Sequence, residues 1–166
     1  MSSPAQKFVG YVQNTSWLGT GEMKFPTLES MSFGCLLKFV KPTPMTKSYF
    51  LMSSLESWKT GKRGEIGMHY ENGFLRVVGD KELEWSIAHN FGITEVCQGV
   101  VEDSGLRAVF QSTHLGNANV VKATRRDMTV TLNAEGQPVQ LRDVMSMATP
   151  DVPDVTEHLI IDYVQR

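Results

Sequence analysis

Met128-Thr129-Val130-Thr131-Leu132 alternates apolar and polar side chains, breaks at Asn133-Ala134-Glu135-Gly136, and resumes as Val139-Gln140-Leu141-Arg142-Asp143-Val144. A period of two sends successive side chains to opposite faces, and Asn and Gly supply the turn, so the stretch reads as a hairpin. Leu83-Glu84-Trp85-Ser86-Ile87 alternates in the same way. Further turns are signalled at Thr60-Gly61-Lys62-Arg63-Gly64, Asp103-Ser104-Gly105 and Gly116-Asn117-Ala118-Asn119. Strand-like runs spaced roughly 8 to 12 residues apart indicate an all-β sandwich or barrel. About ten such runs, mostly joined by short loops, favour a closed antiparallel up-and-down β-barrel, because closure removes exposed strand edges. A barrel of about eight to ten strands is wide enough to hold a small ligand as well as its own side chains.

The helical signal is confined to the start of the chain. Ser3-Pro4-Ala5-Gln6 has the form of a helix start, with Ser3 as N-cap, proline in the first turn and Gln6 able to reach back. Phe8, Val9 and Val12 then share one face, so residues 4 to about 13 are expected to form one short helix, a plug or lid.

A length of 166 residues suits a single domain over residues 1–166, with a core large enough to need no disulfide or metal staple. Sixteen basic and eighteen acidic residues give a net charge of -2 without a block of like charge, which argues against nucleic acid or an anionic membrane as partner. No segment approaches the roughly 18 apolar residues of a membrane span, and the start lacks a basic then apolar leader. A cytoplasmic location is the expectation. Cys35 and Cys97 lack CxxC spacing and fit reduced thiols. The pair His69-x-Glu71 resembles the H-x-E of zinc deaminases, but the P-C-x-x-C that completes such a site is missing, so a zinc site is disfavoured.

Near the C-terminus, Thr156-Glu157-His158-Leu159-Ile160-Ile161-Asp162-Tyr163 sets a lone histidine at the mouth of an apolar, β-branched run. Facing a cavity, His158 would be an axial ligand for haem; the alternative is a solvated side chain at a strand end. Other segments keep it company. Trp17-Leu18-Gly19-Thr20-Gly21 is followed by Phe25-Pro26-Thr27. Met68-His69-Tyr70-Glu71-Asn72-Gly73-Phe74-Leu75-Arg76, Gly92-Ile93-Thr94-Glu95-Val96-Cys97-Gln98-Gly99, Thr124-Arg125-Arg126 and Met145-Ser146-Met147-Ala148-Thr149 complete the set.

Together these motifs resemble the nitrobindin family, haem-binding β-barrels that include the C-terminal domain of animal THAP-type zinc-finger proteins. The signatures M-H-x-E-x-G-aromatic-x-R and G-I-x-E-V-x-x-G are complete. The entry signature GxWxGxG departs at Thr15, which stands where the family has its first glycine, and the loop before His158 is slightly longer than usual. The resemblance implies haem b, held as ferric iron, with His158 as axial ligand, Thr27 lining the haem site and His69 on the distal side. It also implies binding of nitric oxide and isomerisation of peroxynitrite to nitrate at the iron, with no catalytic side-chain nucleophile.

Met68, Met145 and Met147 are candidates for contact with the porphyrin or, equally, for barrel core. The Trp17 motif reads as structural, an indole closing the barrel floor with glycines allowing close backbone approach. Glu71 and Arg76 are candidates for a cross-strand pair or for haem propionates, with a surface ion pair the expectation; Arg125 and Arg126 carry the same choice, and alternation sends one inward and one outward. His89 and His114 match no family ligand and are expected in solvent. Two other functions stay open: a carrier of a fatty acid or other apolar ligand, needing an inward cation such as Arg76 or Arg126, and a nitric oxide sensor for a partner protein. No THAP zinc-finger segment is present in these residues, so DNA binding does not carry over.

Overall fold

The computed structural model describes residues 1–42, 49–64 and 67–166. Helix α1 (Pro4–Val12) leads into strands β1 (Thr15–Phe25), β2 (Leu28–Val40), β3 (Phe50–Lys59), β4 (Gly67–Val77) and β5 (Glu82–His89). Strands β6 (Thr94–Val101), β7 (Arg107–Gly116), β8 (Ala123–Leu132), β9 (Pro138–Ala148) and β10 (Thr156–Gln165) follow. Among the described residues these ten strands form a closed antiparallel meander in which each strand pairs with its sequence neighbours and β1 pairs with β10 to complete the ring. In that closing pair Trp17 lies opposite Gln165 and Met23 opposite Leu159. Closure satisfies the backbone of every strand along both edges.

The hairpin read from sequence is β8 and β9. Its turn is organised by Asn133, whose side-chain oxygen accepts the backbone N–H of Glu135 at 3.1 Å and of Gln137 at 2.9 Å. No helix among the described residues is long and apolar enough to cross a membrane.

Helix α1 plugs one end of the barrel. The Ser3 hydroxyl accepts the Gln6 backbone N–H while the Gln6 side chain accepts that of Ser3, a reciprocal capping box. The face bearing Ala5, Phe8, Val9 and Val12 is fully buried, worth about 1.5–3 kcal/mol for each of the three larger side chains. The Ala5 N–H donates to the Asp80 carbonyl in the β4–β5 turn at 3.0 Å. At Gly105, in the β6–β7 turn, φ is +77° and an added Cβ would stand 2.6 Å from the Lys7 Cβ, so the helix packs where only glycine fits.

Thr15 has a defined role at the junction of α1 and β1. Its hydroxyl donates to the Val12 carbonyl at the end of the helix and accepts the indole N–H of fully buried Trp17 at 2.7 Å. Thr15, where the resemblance leads one to expect glycine, thus gives buried Trp17 its hydrogen-bond partner. Thr15→Gly is expected to cost about 1–3 kcal/mol, the penalty for an unsatisfied buried donor. Urea denaturation checks this; a loss below about 0.5 kcal/mol would mean that the indole finds another acceptor.

Two strand irregularities set up the other end of the barrel. In β10, Tyr163, Ile161 and Leu159 point inward, and strict alternation would send Glu157 inward and His158 out. The register instead slips between Glu157 and Leu159, leaving His158 as an extra residue, and it turns into the barrel while Glu157 remains exposed. In β4 the pairing jumps from Ser57–His69 to Trp58–Gly67, which makes Met68 an extra residue, and it too faces the interior. Bulges of this kind re-aim side chains at barrel rims.

Candidate functional site: a histidine-lined cavity

The end of the barrel opposite α1 holds a cavity of about 190 Å³ that is open at its mouth. Its wall is mainly apolar, with Met23, Leu28, Phe33, Leu55, Met145 and Ile161 contributing. Gly21 makes room for part of that wall, since any Cβ there would collide with the Phe33 ring across the β1–β2 pair.

His158 enters this wall from β10 and is half-buried. The Phe25 ring meets it edge-on with centroids 5.4 Å apart. Burial lowers its pKa below that of a free imidazole; the Lys24 backbone carbonyl opposes the shift and the His69 ring adds to it. The ring is therefore neutral at pH 7, and its Nδ1 is buried without a hydrogen-bond partner.

Across the barrel, β4 lies four strands from β10 in one direction and six in the other. It contributes Met68, His69 and Glu71 to the cavity. His69 packs edge-on against Phe91 at 4.9 Å. Its Nε2 lies 3.0 Å from His89 Nδ1 and 3.3 Å from Glu71 Oε1.

Below these groups runs a buried charged chain. Arg126 Nη1 donates to Glu71 Oε2 at 3.3 Å and Arg126 Nε donates to Asp143 Oδ2 at 2.8 Å. The guanidinium lies over the Trp85 ring at 4.7 Å, and the Trp85 indole N–H donates to Ser53 at 2.8 Å. Burial alone would raise the Glu71 pKa, but Arg126 first, then His69 and His89, hold it down at about 2. Asp143 is pushed the other way, to about 6, by burial, which the Arg126 charge only partly offsets while Glu71 adds to it. The Arg126 pKa is raised: burial alone would lower it, and the Asp143 and Glu71 charges overcome that.

The cavity gathers three of the residues singled out in the sequence, His158, Met68 and His69. Thr27 stands exposed in the turn between β1 and β2, where its neighbour Leu28 rather than Thr27 itself lines the cavity. Met147 lies two residues toward the rim from Met145 on β9, half-buried, and only Met145 reaches the cavity wall.

Two expectations are corrected. Glu71 is not in a surface ion pair but buried on Arg126; Arg76 is the exposed partner, bonded to Glu84 at 2.6 Å. His89 is not solvated: its side chain is 10% exposed and bonded to His69 and Glu95, whereas His114 is exposed as expected. What the linear sequence conceals is the register that sets His89 directly opposite Glu71. Arg126 is the inward member of its pair, and Cys35 and Cys97 are free and buried, with burial pushing each thiol pKa up to about 12.

The fold and the cavity define a small-ligand β-barrel with a histidine presented from a bulge. The family model for the THAP4-like, heme-binding beta-barrel domain matches residues 9–165, and the chain belongs to that family. It is 31% identical over 109 residues to a peroxynitrite isomerase of Nocardia farcinica, spanning 64% of this chain and 61% of that relative's length. It is 30% identical over 129 residues to a peroxynitrite isomerase of Arabidopsis thaliana, covering 76% of this chain and 74% of the relative. In fold it resembles the crystal structure of Rv2717c from M. tuberculosis, with a TM-score of 0.78 and 21% identity over 100% of this chain and 99% of that one.

Proposed function

We propose that this barrel binds ferric haem b through His158 and, so loaded, binds nitric oxide and isomerises peroxynitrite to nitrate. The observation that carries the reading is the β10 bulge, which turns a neutral histidine, the Nδ1 of which has no hydrogen-bond partner, into an apolar cavity. A haem-binding family and relatives named peroxynitrite isomerase support it. The donor chemistry fits as well, because a neutral imidazole ligates iron without first losing a proton.

The enclosed volume of about 190 Å³ is below the roughly 300–1,000 Å³ of sites that engulf a drug-sized ligand. The mouth of the cavity is open, so haem held by His158 would not have to be engulfed. Met68 and Met145 offer adaptable contacts for the ring, and Thr27 and Met147 stand nearer the rim. Bound ferric haem supplies the Lewis-acid and redox chemistry at its iron.

The chain supplies the rest. His158 holds the group, the apolar wall limits water, and His69 keeps a proton on Nε2, shared toward Glu71 and His89, beside the space an anionic ligand enters. The apolar-carrier reading is weakened by the pairing of its candidate cations. Arg126 already faces two carboxylates, and Arg76 points outward to Glu84.

Titrating ferric haem into the full chain while recording the visible spectrum tests the proposal. A Soret band saturating at one haem per chain is expected, followed by faster conversion of peroxynitrite to nitrate by the loaded protein. Absence of a saturable band would reject the reading.

A further inference from the structure

His69 Nε2, His89 Nδ1 and Glu71 Oε1 converge beside the cavity with separations of 3.0, 3.3 and 3.8 Å. Their protonation is constrained by what surrounds them. His89 Nε2 lies 3.2 Å from Glu95 Oε1, and a carboxylate only accepts, so the hydrogen of neutral His89 sits on Nε2 and its Nδ1 carries a lone pair. Glu71 pairs through Oε2 with the Arg126 guanidinium at 3.3 Å, which leaves Oε1 facing the two histidines. His69 Nε2, His89 Nδ1 and Glu71 Oε1 are thus three converging atoms that bear or can bear lone pairs.

We propose that these three atoms ligate a divalent first-row transition ion, Zn²⁺ being the simplest case, with the remaining coordination positions open to the cavity. Bonds of about 2.0–2.1 Å in tetrahedral geometry put donor atoms about 3.3–3.4 Å apart. The three observed separations bracket that edge, so little side-chain movement is needed. Two histidines and a carboxylate form the donor set of hydrolytic zinc sites and of non-haem ferrous sites. On binding, the His69 proton leaves Nε2 and the ring takes its other neutral tautomer.

The outer partners are those such a site requires. His89 donates from Nε2 to Glu95, which in turn accepts the Thr124 hydroxyl at 2.7 Å, and this fixes the His89 ring and its tautomer. The second Glu71 oxygen accepts from Arg126 at 3.3 Å, leaving Oε1 for an ion. Exposure grades the site, with 28% for the His69 side chain, 10% for His89 and 6% for Glu71, so the ion enters past His69. The sequence offers His69-x-Glu71 without a cysteine pair. The third ligand comes instead from β5, placed by strand register.

His69 and the cavity are common to both sites but His158 is outside this set, so the haem-free chain tests ion binding separately from ligation of haem. Co²⁺, which reports its coordination through visible ligand-field bands, is the probe, added to the full chain without haem. We expect saturation at one Co²⁺ per chain, displacement by Zn²⁺ and reversal by a chelator. His89→Ala lowers affinity by at least about a hundredfold, and Glu95→Gln, acting through the His89 ring, lowers it by about 10–100-fold. His158→Ala leaves Co²⁺ binding unchanged. Failure of the unsubstituted chain to bind micromolar Co²⁺ would overturn the proposal whatever the variants do. So would wild-type affinity in a natively folded His89→Ala, or loss of binding in His158→Ala. A chain that takes up Co²⁺ but not haem, or haem but not Co²⁺, separates this site from the proposed haem site.

Discussion

Arg126→Ala is expected to lower the unfolding free energy at pH 7 by about 3–5 kcal/mol, the range for removing one partner from a buried ion pair. Arg126 is 4% exposed and faces Glu71 at 5% and Asp143 at 0%. Its removal leaves Asp143 buried without a partner and Glu71 with only the His69 and His89 rings. A domain has about 5–15 kcal/mol of net stability, so the variant loses a large share of it.

The pH dependence separates this cause from lost packing over Trp85. In the native chain Glu71, lowered to about 2, contributes stability that is present above its unfolded value of 4.5 and lost as pH falls toward 2. Asp143, raised to about 6, contributes in the opposite sense, fully below 3.8 and lost as pH rises through 6. Without Arg126, burial raises both groups, and each costs stability wherever it must ionise. The deficit should therefore be widest at neutral pH and narrow as pH falls toward about 4, and adding Asp143→Asn should recover part of it at pH 7. Urea denaturation of the three proteins at the two pH values measures this; a pH-independent deficit would assign the loss to packing instead.

The barrel is legible in the sequence because its strands alternate and its turns carry Asn and Gly, local signals that survive without knowledge of partners. The helix is equally local, announced by Ser3, Pro4 and Gln6. Side-chain direction near the rim is less accessible. His158 and Met68 point inward only because each strand carries an extra residue, and a bulge is a property of two paired strands rather than one. Alternation alone would aim both outward. His89 illustrates the same limit, for its position beside a turn suggested solvent until register set it against Glu71. Glu71 and Asp143 lie far apart in sequence, and the arginine that makes their burial tolerable comes from a third strand.

His158→Ala should reduce ferric haem affinity by at least about a hundredfold, more than loss of an outer-sphere partner does, because it removes the proposed ligand itself. The same substitution should change the stability of the haem-free chain by less than about 1 kcal/mol. The ring is only half-buried, and its Nδ1 already forgoes a hydrogen bond, so truncation deletes an unsatisfied polar atom along with its packing. The contrast with Arg126→Ala is diagnostic. A large loss of haem binding with an unchanged urea midpoint points to ligation, whereas parallel losses would make His158 a structural residue. Free imidazole adds a second check. The variant leaves space beside Phe25 where the His158 ring stood, and millimolar imidazole entering it should restore the Soret band without changing the fold. A variant that keeps wild-type haem affinity in the absence of imidazole would remove His158 from the site and leave the cavity in need of another ligand.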